Sequence, residues 1–580
     1  MTAILGLNLF HADASACLVK DGVVVAAVAE ERLGSRKKHF AGFPALAIGK
    51  VLDIARVSLS DIDCVAVGHD GRANLWQKAA FSVRHPARAF LAGATFLARA
   101  KQTQSVPELI VAASAGRGSS FDAPVMEVEH HVAHLASSYY SSGYDEAAGF
   151  SYDASGDFVS TMYARCADQA IEVLDRVHLP HSLGYFYTAL CQFIGFDHFG
   201  EEYKVMGLAA YGKPRFAALM ARMLEPLPHG RFRLNPAFFS GVNSRSHMEL
   251  GDAVGDIVVP TLYSTALEEV LGPPRHRGGE ITQRDCDVAA SCQLHFEEVV
   301  LHCLRWLHTQ VPLPALVTAG GCALNGVCNA RILRESPFRS SYIHCAAGDD
   351  GTAVGAALYA WHSLHKGIRV PAVGHAYLGP EYSDAVIRDA IAASGYEAVR
   401  LERAELLSTI SGYLAEGKIV GWYQGRCEWG PRALGNRSIL AHPGWPGMKE
   451  LINLKIKRRE SFRPFAPSIL IEHVDAYFEQ HVESPFMMHV ASIRPERRAE
   501  LAAVTHEDGT GRLQTVSRES NELYYDLIER FRVRTGTPVL LNTSFNENEP
   551  IVDTPQQALD CFGRNDIDVL CLGSYVVRKT

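Results

Sequence analysis

The stretch AILGLNLFHADASACLVKDGVVVAAVAEER, residues 3–32, decides the fold predicted for this chain. Apolar runs flank Asp21-Gly22, a pattern typical of a β-hairpin. A second stretch, AAGFSYDASGDFVSTMYARCADQAIEVLDRV, residues 147–177, repeats the design. In both, an apolar strand reaches the tripeptide Asp-Ala-Ser, first at residues 13–15 and then at 153–155, and another strand pattern follows. The repetition indicates a duplicated fold.

Two later segments extend this pattern. In PALVTAGGCALNGVCNARIL, residues 314–333, a strand runs into Gly320-Gly321 and a helix begins near Asn325, which predicts a phosphate or ribose contact. In YIHCAAGDDGTAVGAALYAWHSL, residues 342–364, a strand ends at an acidic glycine loop and a helix of small residues follows. Duplicated α/β halves around a nucleotide are typical of actin, Hsp70 and sugar kinases.

Length and composition predict more than one domain. The chain has 580 residues, and HKGIRVPAVGHAYLGPEYSD, residues 365–384, is rich in glycine and proline. We therefore predict domains at 1–365 and 385–580, with a linker region at 366–384.

Several classes of protein are disfavoured. The formal net charge of −8 argues against bulk nucleic-acid binding. The sequence shows no apolar run long enough for a transmembrane helix and no signal-peptide pattern at its start. The thirteen cysteines form no C-x-x-C pair, so reduced thiols in a cytoplasmic protein are the simplest interpretation.

A metal site is predicted around EVEHHVAHLASSYYSSG, residues 127–143. His130 and His134 lie four apart in a helical pattern and therefore share one face. Asp153 and either Asp349 or Asp350 would add carboxylates from strand ends. Such a mixed nitrogen and oxygen set suits Fe(II), Mn(II) or Zn(II) rather than calcium. Surface or capping histidines remain the alternative.

A second polar site is predicted in the C-terminal region. Basic and amide side chains lie there in glycine- and proline-bearing loops, namely Arg432, Lys457, Arg463, Arg512, Asn542 and Ser544. The cations can converge on polyanionic phosphates. Asn542 and Ser544, which follow the strand PVLL, can bind a phosphate or a small polar carbonyl compound. Ordinary surface ion pairs are the alternative.

Five long motifs carry a family resemblance. They are EEYKVMGLAAYG (201–212), GPRALGNRSILA (430–441), FRPFAPSIL (462–470), DGTGRLQTV (508–516) and LNTSFNENEPIV (541–552). With these motifs the chain resembles, nearly end to end, the NodU/CmcH-type O-carbamoyltransferases of antibiotic tailoring and nodulation-factor synthesis. The resemblance implies an α/β protein with an N-terminal Kae1-like domain of the actin/Hsp70 type and a C-terminal YrdC-like α/β domain.

The same resemblance implies a two-step activity. The YrdC-like site would convert carbamoyl phosphate and ATP, with Mg²⁺, to carbamoyladenylate and pyrophosphate. The Kae1-like site would pass the carbamoyl group to a hydroxyl of a small molecule, which the resemblance implies to be a secondary metabolite, and release AMP. One divalent metal, Fe²⁺ before Zn²⁺ or Mn²⁺, is expected. The expected partners exclude nucleic acid and membrane, and homodimerisation is left open.

Residue roles follow from matching motifs. The metal ligands fall on His130, His134, Asp153 and Asp349, and the base for the acceptor hydroxyl falls on His11. Carbamoyladenylate contacts fall on Gly321 and Asn325, with Lys38 or His39 as a further contact. The ATP and carbamoyl phosphate contacts fall on Arg432, Lys457, Arg463, Arg512, Asn542 and Ser544. One departure is the loop DASGD, where Ala154 and Asp157 replace the usual glycine and glutamate.

Rival functions remain at this point. An enzyme of tRNA threonylcarbamoylation would share both domain types, but the acidic chain lacks a broad basic stripe. An actin-class kinase or ATPase would release ADP rather than AMP and pyrophosphate. A non-catalytic metal-binding protein would not need two polar sites.

Overall fold

The computed structural model describes residues 2–34, 38–84, 106–114, 122–240, 249–250, 257–365 and 371–579. The chain divides into two compact units. The first comprises residues 1–31 and 39–373, and the second comprises residues 374–580 together with the short segment 32–38. The linker predicted at 366–384 stays a prediction, and residues 366–370 of it lie outside the described residues.

The first half of the first unit is built on a five-stranded sheet in the order β3-β2-β1-β4-β5. Its strands are β1 (Ala3–Asn8), β2 (Ser15–Lys20), β3 (Val23–Ala29), β4 (Cys64–Val67) and β5 (Val125–Glu127). Its helices are α1 (Ala45–Ala55), α2 (Leu75–Arg84) and α3 (Val106–Ala113). The turn between β2 and β3 falls on Asp21-Gly22, both with positive φ, as the hairpin signal predicts.

The second half repeats this arrangement on a sheet in the order β14-β13-β6-β7-β8. Its strands are β6 (Glu146–Gly156), β7 (Val159–Ala167), β8 (Ala170–His178), β13 (Ala315–Ala319) and β14 (Ser340–Ile343). Two short ribbons intervene, formed by β9 (Leu224–Pro226) with β10 (Phe232–Leu234) and by β11 (Glu249–Leu250) with β12 (Ile257–Val258). The helices of this half are α4 (His130–Ser142), α5 (Leu183–Phe193), α6 (Glu202–Ala209), α7 (Ala217–Met223), α8 (Thr265–Leu271), α9 (Gln283–Gln310), α10 (Gly326–Glu335) and α11 (Thr352–Leu364).

The strand pairings of the two sheets are the same. In the first sheet, β1, β2 and β3 form an antiparallel meander, β4 pairs in parallel with β1, and β5 pairs in parallel with β4. In the second sheet, β6, β7 and β8 form the meander, β13 pairs in parallel with β6, and β14 pairs in parallel with β13. This repeated topology confirms the predicted duplication and the actin-type class of the first unit. The tripeptide Asp-Ala-Ser occupies two non-equivalent places, because residues 13–15 lead into β2 whereas residues 153–155 lie within β6.

Small residues let α11 pack closely, as its sequence predicts. A Cβ on Gly355 would lie 1.8 Å from the carbonyl oxygen of Ala133 in α4, and a Cβ on Gly6 would lie 2.1 Å from that of Ala353. The backbone of α11 therefore approaches both the histidine-bearing helix and β1. This contact fixes the position of α4 relative to both sheets.

The second unit is a three-layer α/β structure on a nine-stranded sheet, ordered β15-β23-β22-β16-β17-β21-β18-β20-β19. The strands are β15 (Glu397–Arg400), β16 (Val420–Tyr423), β17 (Arg437–Ala441), β18 (Ala466–Leu470), β19 (His489–Ser492), β20 (Thr510–Val516), β21 (Val539–Ser544), β22 (Val569–Leu572) and β23 (Tyr575–Arg578). The helices are α12 (Asp384–Ser394), α13 (Arg403–Ala415), α14 (Met448–Leu451), α15 (Val474–Tyr477), α16 (Glu522–Thr535) and α17 (Pro555–Arg564), and a π-helical turn spans Ile452–Ile456.

Both faces of this sheet are covered. Consecutive residues of a strand point to opposite faces of the sheet, so that Ile439 enters one hydrophobic core and Leu440 the other. The core on one side includes residues of α12 and α17, and the core on the other includes residues of α13 and α16. Within the described residues, no helix combines the length and apolarity needed to cross a membrane.

Candidate active site

Four side chains of the first unit converge in a buried cluster. His130 and His134 come from the first two turns of α4, Asp153 from β6, and Asp349 from the loop after β14. The Nε2 atoms of the two histidines are 3.0 Å apart, and that of His134 lies 3.1 Å from Asp153 Oδ2. Asp349 Oδ1 lies 3.4 Å from each histidine Nε2. The paired strand ends and the helix start thus direct one nitrogen or oxygen each to a common point.

These spacings fit a divalent metal. Ligands about 2.1 Å from a metal are separated by about 3.0 Å at right angles and about 3.4 Å at tetrahedral angles. Both histidines are fully buried, and their Nδ1 atoms have no hydrogen-bond partner among the described residues. Burial alone would lower the pKa of His130, but the carboxylates of Asp153 and Asp349 outweigh it and raise that pKa to about 10. The cluster therefore favours a positive charge at its centre.

The adjacent acidic residue behaves differently. The side chain of Asp350 accepts a hydrogen bond at Oδ1 from the N–H of Gly351. The backbone carbonyl oxygen of Asp350 accepts a second one from the hydroxyl of Ser15 in β2. Asp349, and not Asp350, belongs to the four-residue cluster.

His11 lies beside this cluster. Its Nδ1 is 2.8 Å from Asp349 Oδ2, and its ring centroid is 4.8 Å from that of His130. If Nδ1–H donates to the carboxylate, Nε2 carries the lone pair and can accept a proton. The arrangement suits a base held by a carboxylate.

Gly156 sets how closely the β6–β7 hairpin approaches His130. A Cβ at residue 156 would lie 2.0 Å from His130 Cδ2 and 2.7 Å from its Nε2. We expect Gly156→Ala to displace this buried ring, to weaken divalent-metal binding, and to cost about 1–3 kcal/mol of folding free energy from overpacking. Thermal unfolding and metal titration measure both effects.

Gly412→Ala serves as the matched control, because a Cβ there would meet nothing within 4 Å. A Gly156→Ala protein with the metal affinity and Tm of the control would contradict the steric role.

The loop after β13 borders the cluster. Gly321 approaches Asp153 so closely that a Cβ would lie 3.0 Å from Asp153 Oδ1. Asn325 caps α10 by accepting from Cys328 N, and its side-chain amide forms a reciprocal pair with Gln293 at 2.9 and 3.0 Å. The loop is thus held rigidly next to the carboxylate, where backbone groups can meet a ligand.

A second polar site lies within the second unit. Burial, followed by the charges of Arg432, Arg459 and Arg463, lowers the pKa of Arg512 well below its usual range. The Nε atom of Arg512 is buried without a hydrogen-bond partner among the described residues. Guanidinium groups gathered in this way favour a bound polyanion such as a phosphate chain.

Lys457 is a buried residue whose side chain bonds to the loop after β21. Its ammonium donates to the carbonyl oxygens of Ser544 at 2.5 Å and Asn546 at 2.8 Å, and to Asn546 Oδ1 at 2.8 Å. Burial, then the charges of Arg459, Lys38 and Arg463, lowers its pKa well below the usual range. The lysine therefore holds the loop after β21 in place.

Asn542 lies in a buried amide network. Its Nδ2 donates to Gln514 Oε1 at 2.9 Å, to Ser468 Oγ at 3.1 Å and to the carbonyl oxygen of Ala433 at 3.2 Å. Ser544 Oγ donates to Asn546 Oδ1 at 2.7 Å. These contacts fix both predicted residues at the end of β21.

Comparison with known proteins identifies the family. A family model described as the carbamoyltransferase N-terminus matches residues 3–358, and one described as the carbamoyltransferase C-terminus matches residues 411–579. The chain belongs to the carbamoyltransferase family. The resemblance seen in the motifs is confirmed, and the chain is a transferase.

This carbamoyltransferase has relatives along its full length. It is 38% identical to the nodulation protein NolNO of Sinorhizobium fredii, over 99% of this chain and 80% of that protein. It is 32% identical to 3'-hydroxymethylcephem-O-carbamoyltransferase of Streptomyces clavuligerus, over 50% of this chain and 53% of that protein. Full-length HypF in its phosphate- and nucleotide-bound form aligns with a TM-score of 0.32 at 14% identity, over 63% of this chain and 47% of that one, which is too weak to support an inference.

Two predicted contacts of the carbamoyltransferase fall in different units. His39 lies in the first unit, where its Nδ1 is 2.7 Å from Asp13 Oδ1 and its N–H donates to Glu31 Oε2 at 2.7 Å. Lys38 belongs to the second unit, where its charge acts on Lys457. Which of these two neighbouring residues contacts carbamoyladenylate stays a prediction.

Sequence reasoning missed several residues of the carbamoyltransferase site. Arg459 is the clearest, since its charge acts on both Lys457 and Arg512. Its Nε donates to Asn453 Oδ1 at 2.7 Å, and its guanidinium lies 4.8 Å from the ring centroid of Phe465. The run KRRE contains two adjacent arginines and gives no signal for choosing between them.

Proposed function

We propose that this protein is an ATP-dependent O-carbamoyltransferase that works in two steps. In the second unit, carbamoyl phosphate and ATP yield carbamoyladenylate and pyrophosphate. In the first unit, the carbamoyl group passes to a hydroxyl of a small molecule and AMP leaves. The observation that carries the proposal is the arginine cluster around Arg512, in a chain whose family transfers carbamoyl groups.

The phosphate balance of the first step is fixed by its product. Carbamoyladenylate contains one phosphate, which comes from ATP, so water must first attack the phosphorus of carbamoyl phosphate and break its bond to the carbamoyl oxygen, which leaves carbamate and inorganic phosphate. The carbamate oxygen then bonds to the α-phosphorus of ATP, whose bond to pyrophosphate breaks. The guanidinium groups of Arg432, Arg459, Arg463 and Arg512 would stabilise the charge that builds up on the departing pyrophosphate, a task that they share with Mg²⁺ on ATP.

In the second step the first unit would bind carbamoyladenylate beside the His/Asp cluster. His130, His134, Asp153 and Asp349 would hold one divalent metal, for which Fe²⁺ is our first choice and Zn²⁺ or Mn²⁺ the alternatives. Such an ion supplies Lewis acidity toward phosphate or carbonyl oxygens. The loop with Gly321 and Asn325 would orient the nucleotide, and Lys38 or His39 would add a further contact.

Acceptor activation falls to His11 in this proposal. The hydroxyl loses its proton as its oxygen bonds to the carbamoyl carbon, and the bond from that carbon to the AMP phosphate oxygen breaks. His11 takes the proton on Nε2 while Asp349 holds Nδ1. The relative from Streptomyces clavuligerus is named for a hydroxymethyl acceptor, which supports a hydroxylated small molecule as the acceptor class.

We expect His11→Asn to lower the rate of transfer from preformed carbamoyladenylate by about 10²- to 10⁴-fold, the usual effect of removing a general base. Formation of carbamoyladenylate should be unchanged. Metal content must be measured in parallel, because His11 also contacts Asp349.

His481→Asn is the matched control, since His481 also pairs with an aspartate, at 2.9 Å from Asp475, but lies exposed in the second unit. Near-normal transfer by His11→Asn enzyme with full metal content would place the base elsewhere, and His39 would be tested next.

The test of the whole proposal is product analysis. The enzyme is incubated with ATP, carbamoyl phosphate and a panel of hydroxylated natural products. We expect AMP, pyrophosphate and inorganic phosphate by ³¹P NMR, and an acceptor that gains one carbamoyl group by mass spectrometry. Release of ADP instead would indicate an actin-class kinase or ATPase, and modification of tRNA alone would indicate the tRNA pathway.

A further inference from the structure

We propose that Asp157 is a positioning residue that holds His130, one of the proposed metal ligands, through the backbone of α4. The inference rests on the metal centre of the proposed function and deepens it.

The geometry begins at the tight turn between β6 and β7. Asp157 and Phe158 form this turn, with φ values of +51° and +73°. Asp157 is buried, only four residues after Asp153. Its Oδ2 accepts the backbone N–H of His130 at 2.8 Å and that of Asp70 at 2.9 Å. One carboxylate oxygen thus connects three chain segments.

The other carboxylate oxygen makes an ion-pair contact with His69. Its Nδ1 lies 2.5 Å from Asp157 Oδ1, and the imidazole is a quarter exposed. Burial would raise the pKa of Asp157, but the charge of His69 and the hydrogen bonds outweigh it and lower that pKa well below the usual range. The carbonyl oxygen of Asp157 also accepts from Asn74 Nδ2 at 3.1 Å. Side chain and backbone are both fixed.

The start of α4 depends on this carboxylate. The first amides of a helix have no partners within it. Glu129, the residue before α4, makes no side-chain cap bond, because its carboxylate pairs with Arg176 at 2.9 and 2.7 Å. Asp157 supplies an acceptor and a negative charge at this helix end, which also suits the helix dipole. It acts as a cap supplied by the turn between β6 and β7.

These contacts position two of the proposed metal ligands, His130 and Asp153. The β6–β7 hairpin carries Asp153, presses Gly156 against the His130 ring, and fixes the His130 backbone through Asp157. Two ligands from different elements are therefore braced by one short segment. Residues that orient metal ligands in this way typically change metal affinity by about 10- to 100-fold when they are replaced.

The experiment compares Asp157→Asn, Asp157→Glu and the control Asp175→Asn in the full-length protein. Asp175 forms an exposed pair with Arg231 at 2.9 Å on β8. An asparagine at 157 loses the charge, and its NH₂ group must face either the backbone amides or His69. We expect its dissociation constant for Co²⁺ or Zn²⁺, measured by chelator competition, to rise by about 10- to 100-fold. Asp157→Glu should restore most of the affinity, and Asp175→Asn should match wild type.

Two further readouts separate positioning from a general packing role. The visible spectrum of the Co²⁺ form should change in Asp157→Asn, because the His130 geometry relaxes. A lower Tm of the metal-free protein with unchanged metal affinity and unchanged spectrum would overturn the inference. If Asp157→Asn does not fold, His69→Gln provides the test, and we expect a smaller but measurable loss of affinity, whereas wild-type affinity would overturn the inference.

Failure of the proposed metal centre looks different. In that case the wild-type protein itself would bind no divalent metal. A wild type that binds metal, together with an Asp157→Asn variant that binds it equally well, would reject only the role of Asp157.

Discussion

Replacement of both His130 and His134 by alanine is expected to remove the divalent metal and to abolish carbamoyl transfer to the acceptor. The two Nε2 atoms provide half of the four converging ligand atoms. Without them, Asp153 and Asp349 would face each other as buried carboxylates with no cation between them, and at least one must take up a proton. Metal analysis of the purified protein, alongside transfer from synthetic carbamoyladenylate, measures the loss.

The first half-reaction should survive in this double variant, because we propose that it takes place in the second unit. His131→Gln is the matched control: His131 is equally buried in α4, but its ring atoms contact Ser151 Oγ at 2.8 Å and the carbonyl oxygen of Val159 at 3.0 Å. Full metal content in the double variant would contradict the ligand assignment. Loss of metal in the His131→Gln protein, with full metal content in the double variant, would indicate that His131 is the ligand in α4.

Replacement of Arg463 or Arg512 by alanine is expected to abolish carbamoyl phosphate-dependent exchange between ATP and pyrophosphate. The charges of Arg432, Arg459 and Arg463 all act on buried Arg512, and such a concentration of positive charge favours a bound polyanion. If this site binds the phosphates of ATP, removal of one of its preorganised charges removes stabilisation of the charge that develops on pyrophosphate in the transition state. Isotope exchange measures this step without an acceptor.

The same variants should still transfer carbamoyl from synthetic carbamoyladenylate, since that step is assigned to the first unit. Arg534→Ala is the control, because Arg534 lies on α16 and bonds to Ser408 and Ser411. An intact Arg512→Ala protein that loses both half-reactions would refute the division into two sites.

Much of the fold was predictable because its signals are local. The turn at Asp21-Gly22 and the apolar runs around it specify a hairpin whatever the rest of the chain does. The repeat of that pattern at residues 147–177 then indicated the second sheet. The helix start at Asn325 was predictable for the same reason, since a capping asparagine acts within its own turn.

The site was less predictable because it depends on which neighbour faces inward. From the residues alone, Asp349 and Asp350 are equivalent, and only the turn after β14 directs the first toward His134. Arg458 and Arg459 are likewise adjacent, but they follow a π-helical turn that leaves Arg458 exposed beside Glu547. Lys38 and His39 differ by one position, yet the chain passes from one unit to the other between them.

That crossing has a consequence for how the gene can be divided. The second unit includes the segment Arg32–Lys38, and Arg32 within it donates to the carbonyl oxygen of Gly430 at 2.6 Å. No single break in the polypeptide yields both units complete. A C-terminal fragment that begins at Gly374 would lack Arg32, which contacts the GPRALGNRS motif. A chimaera that exchanges only the C-terminal part between relatives would combine it with residues 32–38 of the other protein. Successful exchange requires that residues 32–38 travel with the unit that they complete.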